Sequence, residues 1–80
     1  MDFIEILEKF DIKLENPFNQ ADLMLQLFSP SFLSKHTGIS YPTISKMKQQ
    51  GLSNVNTHQV LSLAECYNKI RKALLEHSVR

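Results

Sequence analysis

The stretch Phe32-Leu33-Ser34-Lys35-His36-Thr37-Gly38-Ile39-Ser40-Tyr41-Pro42-Thr43-Ile44-Ser45-Lys46-Met47 decides how the chain is read. Its apolar residues recur at helical spacing on either side of Gly38. A glycine just past a helix supplies the left-handed backbone that stops it, and Ile39 can then fold back on Leu33. Ser40 suits the N-cap of the next helix. Tyr41 is the alternative cap, because Pro42 disfavours a helical residue before it. Pro42 itself falls in the first turn, where no backbone donor is lost. Two short helices follow from this, one from Pro30 to about Thr37 with Ser29 as its cap, the other running to about Gln50 and stopped by Gly51. Leu52 can pack back on Met47. Ser34 is the small residue that two steeply crossed helices need at their closest approach.

Two further helices are expected upstream. From about Asp2 to Lys13, the residues Phe3, Ile6, Leu7, Phe10 and Leu14 form an apolar stripe beneath an acidic outer face, with Ile4 left outside it. Asp2 and Glu5 have capping-box spacing. Asn16-Pro17 then opens a helix reaching about Phe28, because Asn suits the N-cap and Pro the first turn. One stripe there is Phe18, Ala21, Met24, Leu25 and Phe28, and a second is Leu23 and Leu27. A helix apolar nearly all round is usually sandwiched between others.

Downstream, Asn56 and Gln59 again have capping-box spacing and open a helix from about Thr57 to His77. Its stripe is Val60, Leu63, Ala64, Tyr67, Ile70 and Leu74. At roughly 20 residues it would span about 30 Å, so the part from Lys69 on is expected to project into solvent or to pack on another subunit. No period-2 run suggests a strand. The reading is an all-α protein, a small five-helix bundle in a single domain over residues 1–80.

Composition bounds the function. Eighty residues, 42% of them hydrophobic, suit one small globular domain and not a disordered chain. No apolar run has the length of a membrane span, and the start lacks the pattern of a signal peptide, so a cytoplasmic location is expected. Cys66 is the single cysteine and is read as a packed apolar residue. His36, His58 and His77 are scattered without metal-ligand spacing. Residues 1–34 carry six acids and two bases, and residues 35–80 carry seven bases and two acids. That segregation suits a chain with one face turned to phosphates.

Pro30 to about Gln50 resembles the helix-turn-helix of the lambda-repressor/Cro-like family of bacterial and phage regulators. Leu33, Ser34, Gly38, Ile39, Ile44 and Met47 fall in register with it. Thr57, Val60, Leu61, Leu63 and Ala64 resemble the apolar pattern of the family's following helix. The likeness covers about residues 17–70. The first helix and the length of the last depart from the minimal family domain.

The resemblance implies that the second helix of the motif enters the major groove of double-stranded DNA, with Tyr41, Pro42, Ser45, Lys46 and Gln49 facing base edges. Lys46 can donate to guanine and Gln49 can pair with adenine. Ser29, Ser31, Lys35, Thr43, Lys48, Asn54 and Asn56 are the expected phosphate contacts, with His36 beside Lys35. Lys69, Arg71 and Lys72 are read as a solvated basic end of the last helix. The expected function is a small sequence-specific transcriptional regulator, a repressor of the phage or mobile-element type. It would bind a palindromic operator as a homodimer formed through the first helix or the end of the last. The alternative is a protein-interaction module such as an antirepressor or phage inhibitor. No paired carboxylates, phosphate loop or nucleophile–base pair points to an enzyme. No cofactor, metal or small-molecule ligand is expected.

Overall fold

The five expected helices are present in the computed structural model, which describes residues 3–11, 13–53 and 55–78. They are α1 (Phe3–Asp11), α2 (Pro17–Leu27), α3 (Pro30–Thr37), α4 (Tyr41–Gln50) and α5 (Thr57–Ser78). Among the described residues there is no strand, and the protein is all-α. The expected Asp2 cap and Asn54 contact lie outside the described residues.

Local chemistry sets most of these boundaries. The Asn16 side chain accepts the Phe18 N–H at 2.8 Å and Pro17 follows in the first turn, so one orphan donor is satisfied and the proline removes another. Ser29 does the same for α3, accepting the Phe32 N–H at 3.2 Å. α3 ends at Gly38, whose φ of 79° lies in the left-handed region and whose N–H donates to Ser34. The Thr37 hydroxyl reinforces this turn. It donates to the Leu33 carbonyl at 2.7 Å and accepts the Ile39 N–H at 3.2 Å. α4 begins at Tyr41 and the cap is Ser40, not Tyr41. The Ser40 hydroxyl makes no capping bond and instead meets the Thr43 hydroxyl at 2.7 Å. At α5 the Asn56 side chain takes the His58 N–H at 2.8 Å, and not the Gln59 N–H that a capping box requires.

The core is a single cluster in which Phe10, Met24, Leu33, Ile44, Leu63 and Tyr67 are all but sealed from solvent. α2 lies along α5, α3 packs on α4 and α5, and α2 also touches α3 and α4. α2 is thus the central helix its two stripes suggested. Its inner face differs from the expected one. Phe18, at the first turn and the edge of the stripe, is 47% exposed, and Gln20, on the opposite flank of the buried arc, is 5% exposed. Gln20 is tolerated there because both ends of its amide are satisfied. Its Nε2 donates to the Leu14 carbonyl, and its Oε1 accepts from Asn68 at 3.4 Å. On α5, Val60, Leu63, Ala64 and Tyr67 are buried as expected, whereas Leu61 is 46% exposed and Thr57 is also exposed. Leu61 is turned about 100° from Val60, outside the buried arc.

The second half of α5 is not surplus. The Phe10 ring stacks on Tyr67 with centroids 5.2 Å apart, and Ile70 and Leu74 pack against the core. Arg71, read from the sequence as a solvated charge, is half-buried and donates from Nε to the Phe10 carbonyl at 3.1 Å. A cation on the last carbonyls of a helix both satisfies an orphan acceptor and opposes the helix dipole. α1 is therefore fastened to α5 at Tyr67 and Arg71, on either side of the Asn68 that meets α2. Ile4 stays outside, 66% exposed.

Candidate nucleic-acid interface

α4 presents one face to the core and one to solvent. Ile44 and Met47 are buried, at 0% and 3% exposure, and fix the rotation of the helix about its axis. Tyr41, Pro42, Lys46 and Gln49 are exposed on the far side. Ser45 lies on the same side, between Tyr41 and Gln49 around the helix, and is half-buried. All five residues expected to meet bases thus lie on one side of α4, four of them exposed and Ser45 half-buried.

The residues expected to meet phosphates are placed less uniformly. Ser31 and Lys35 are exposed on α3. Ser29 is exposed too, and although its oxygen accepts the Phe32 N–H, its own proton remains available to an anion. Thr43 is half-buried and engaged with Ser40. Lys48 reaches back across the turn, donating from Nζ to the Phe28 carbonyl at 3.3 Å. That bond puts it on the α2 side of α4, away from Lys46. Asn56 is exposed, but its side-chain oxygen is used in capping α5, which leaves the amide NH2 to donate outward. The His36 ring lies against Phe32, 4.4 Å between centroids, and Phe32 in turn stacks on Phe28 at 4.7 Å. His36 belongs to this aromatic row as well as to the surface beside Lys35.

The fold also assembles a groove of about 330 Å³ between the end of α4 and the start of α5. Thr43, Lys46 and Gln50 form one wall, and Ser53, Asn56 and Gln59 form the other. Donors and acceptors from two helices and the intervening turn converge there, with Lys46 as the cation. Gln50, Ser53 and Gln59 were not anticipated. Gln50 is four residues past Lys46, a spacing that puts both on one side of a helix, so its place beside Lys46 was accessible to sequence reasoning. Gln59 was hidden because its spacing from Asn56 suggested a cap.

The groove opens at Gln59, while α1, with exposed Glu5 and Glu8, is seated at Tyr67 and Arg71. Gln59 and Tyr67 are separated by about 12 Å along the helix, so α1 meets α5 from its middle onward while the groove beside α4 lies at its start. Among the described residues no group of acids, histidines and cysteine could hold a metal ion, and no helix is long and apolar enough to cross a membrane. No protein-family model matches the chain, and neither the curated proteins nor the solved structures contain a significant match.

Proposed function

We propose that the chain is a small sequence-specific DNA-binding transcriptional regulator of the lambda-repressor/Cro-like kind, with α3 and α4 as its helix-turn-helix. The observation that carries this is the outward face of α4. Tyr41, Pro42, Lys46 and Gln49 are held on one accessible surface by the burial of Ile44 and Met47. A recognition helix needs such a surface, rigidly oriented and bearing side chains of different hydrogen-bonding type. Ser29, Ser31 and Lys35 on one flank, and Asn56 with the polar groove on the other, supply donors for the backbone phosphates. The role is binding without catalysis. One such helix reads few base pairs, so the regulator acts as a homodimer on a palindromic operator.

In vitro selection of bound duplexes from a random pool tests this. A symmetric consensus with two half-sites about one helical turn apart is the expected result. Affinity should fall steeply with salt, since each neutralised phosphate releases counterions. Recovery of no enriched sequence, with affinity unmoved by salt, would remove the DNA reading and favour a protein-interaction module.

A further inference from the structure

A second groove lies at the opposite end of α5 from the α4 face. It is a shallow, open one of about 620 Å³, lined by Lys13, Asn68, Arg71, Lys72, Leu75 and Glu76. Three cations face one carboxylate there. Leu75 and the methylene stems of the lysines give it an apolar wall, the usual use of long charged side chains at a surface. The Arg71 guanidinium is partly committed to the Phe10 carbonyl, which leaves Lys13 and Lys72 as the exposed cations. The complementary feature sits on α1 of the same chain. Ile4, two-thirds exposed, and Glu8 are four residues apart and so share one edge of the helix. Lys9 is turned about 100° from Glu8, off that edge.

We infer that two copies of the chain associate by laying the Ile4–Glu8 edge of each α1 in the Lys13–Lys72–Leu75 groove of the other. Charge complementarity commits the groove to this occupant, because a carboxylate beside an exposed aliphatic side chain is what a cationic groove with an apolar wall accepts. One chain carries both halves of the contact, so a two-fold axis makes it twice and closes the assembly. The contact lies at the α1 end of α5 and leaves the outward face of α4 uncovered. It deepens the homodimer proposed above and rests on that reading for its purpose, though not for its geometry.

Sedimentation equilibrium of the full chain without DNA tests it. The chain should be a dimer in the micromolar range. Glu8→Lys and Lys72→Glu should each raise the dimer dissociation constant about 100-fold by placing like charges together. The double variant restores opposite charges and should return to within about 10-fold of the parent. Ile4→Asp, at an exposed position that the monomer fold does not use, should also give monomers with unchanged helical circular dichroism. A chain monomeric at every concentration, or a dimer indifferent to all of these changes, overturns the inference. Binding to an isolated half-site separates the two readings. A monomer that still binds it defeats only the docking surface, and a dimer with the expected charge dependence but no DNA affinity defeats only the DNA reading.

Discussion

The hydroxyl of Tyr67 accepts the backbone N–H of Leu14 at 3.0 Å, joining residues 53 apart in the chain. Its ring meanwhile stacks on Phe10. The carbonyl of the same Leu14 is held by Gln20, so both backbone groups of one residue between α1 and α2 are tied to the core. These bonds anchor the connection between α1 and α2 to the core. Tyr67→Phe removes the acceptor and keeps the ring. It should cost about 1 kcal/mol in urea unfolding, with the slope unchanged. Tyr67→Ala removes a fully buried ring and should cost about 3–5 kcal/mol, which is enough to unfold much of a domain this small.

Arg71 fastens α1 from the other side. Arg71→Ala deletes the bond to the Phe10 carbonyl and should cost about 1 kcal/mol, a value kept low because the side chain is only half-buried. The expected signature is local. Amide exchange should accelerate in residues 3–11 while the Val60–Leu63 region keeps its protection. Equal acceleration throughout α5 would mean that Arg71 supports the core and not α1.

Two glycines stop helices, and they should differ in tolerance. Gly38 has φ 79° and ψ 1°, and Gly51 has φ 80° and ψ −168°. An added Cβ meets nothing within 4 Å at either, so any penalty is backbone strain. The first conformation is open to asparagine as well as glycine, and Gly38→Ala should cost about 1 kcal/mol, with Gly38→Asn milder. The second belongs almost to glycine alone, and Gly51→Ala should cost more, about 2 kcal/mol. Thermal melts of the three variants give the ranking directly.

On DNA, Lys46 and Lys48 should behave differently despite being two residues apart. Lys46→Ala should cost about 1–3 kcal/mol and relax base choice at one operator position. Lys48 is turned toward the Phe28 carbonyl, so Lys48→Ala should weaken all sequences alike and by less, lowering the salt slope by about one if it meets a phosphate. Competition binding against single-substitution operators separates the two patterns.

Burial raises the pKa of the Cys66 thiol above its ordinary 9.0, although the nearby Lys69 ammonium opposes the shift. The folded state therefore holds the thiol proton more tightly than the unfolded chain. The associated stability is complete below pH 9 and is lost as the pH rises through 9 toward the folded value. Stability of the parent should fall over that window relative to Cys66→Ala, measured by urea unfolding at stepped pH. Alkylation of the native thiol should lag behind that of the unfolded chain.

By itself, the sequence determined the helices and their ends. Asn16-Pro17, Ser29-Pro30, Gly38 and Gly51 act through backbone donors and dihedral angles within a few residues, and such effects are local. It also determined which side of α4 faces inward, since Ile44 and Met47 leave only one arrangement of a ten-residue helix. Tertiary structure alone decided which residues from separate helices meet. Gln20 is buried because Leu14, in the preceding connection, and Asn68, on another helix, satisfy its amide. Arg71 became a fastening for α1 because the Phe10 carbonyl lies beside it, 61 positions away in the chain. Lys48 turned away from Lys46 toward Phe28, and Gln50 and Gln59 came together across a groove. Hydrogen-bond partners for long polar side chains depend on distances between elements, and no spacing within one element encodes them.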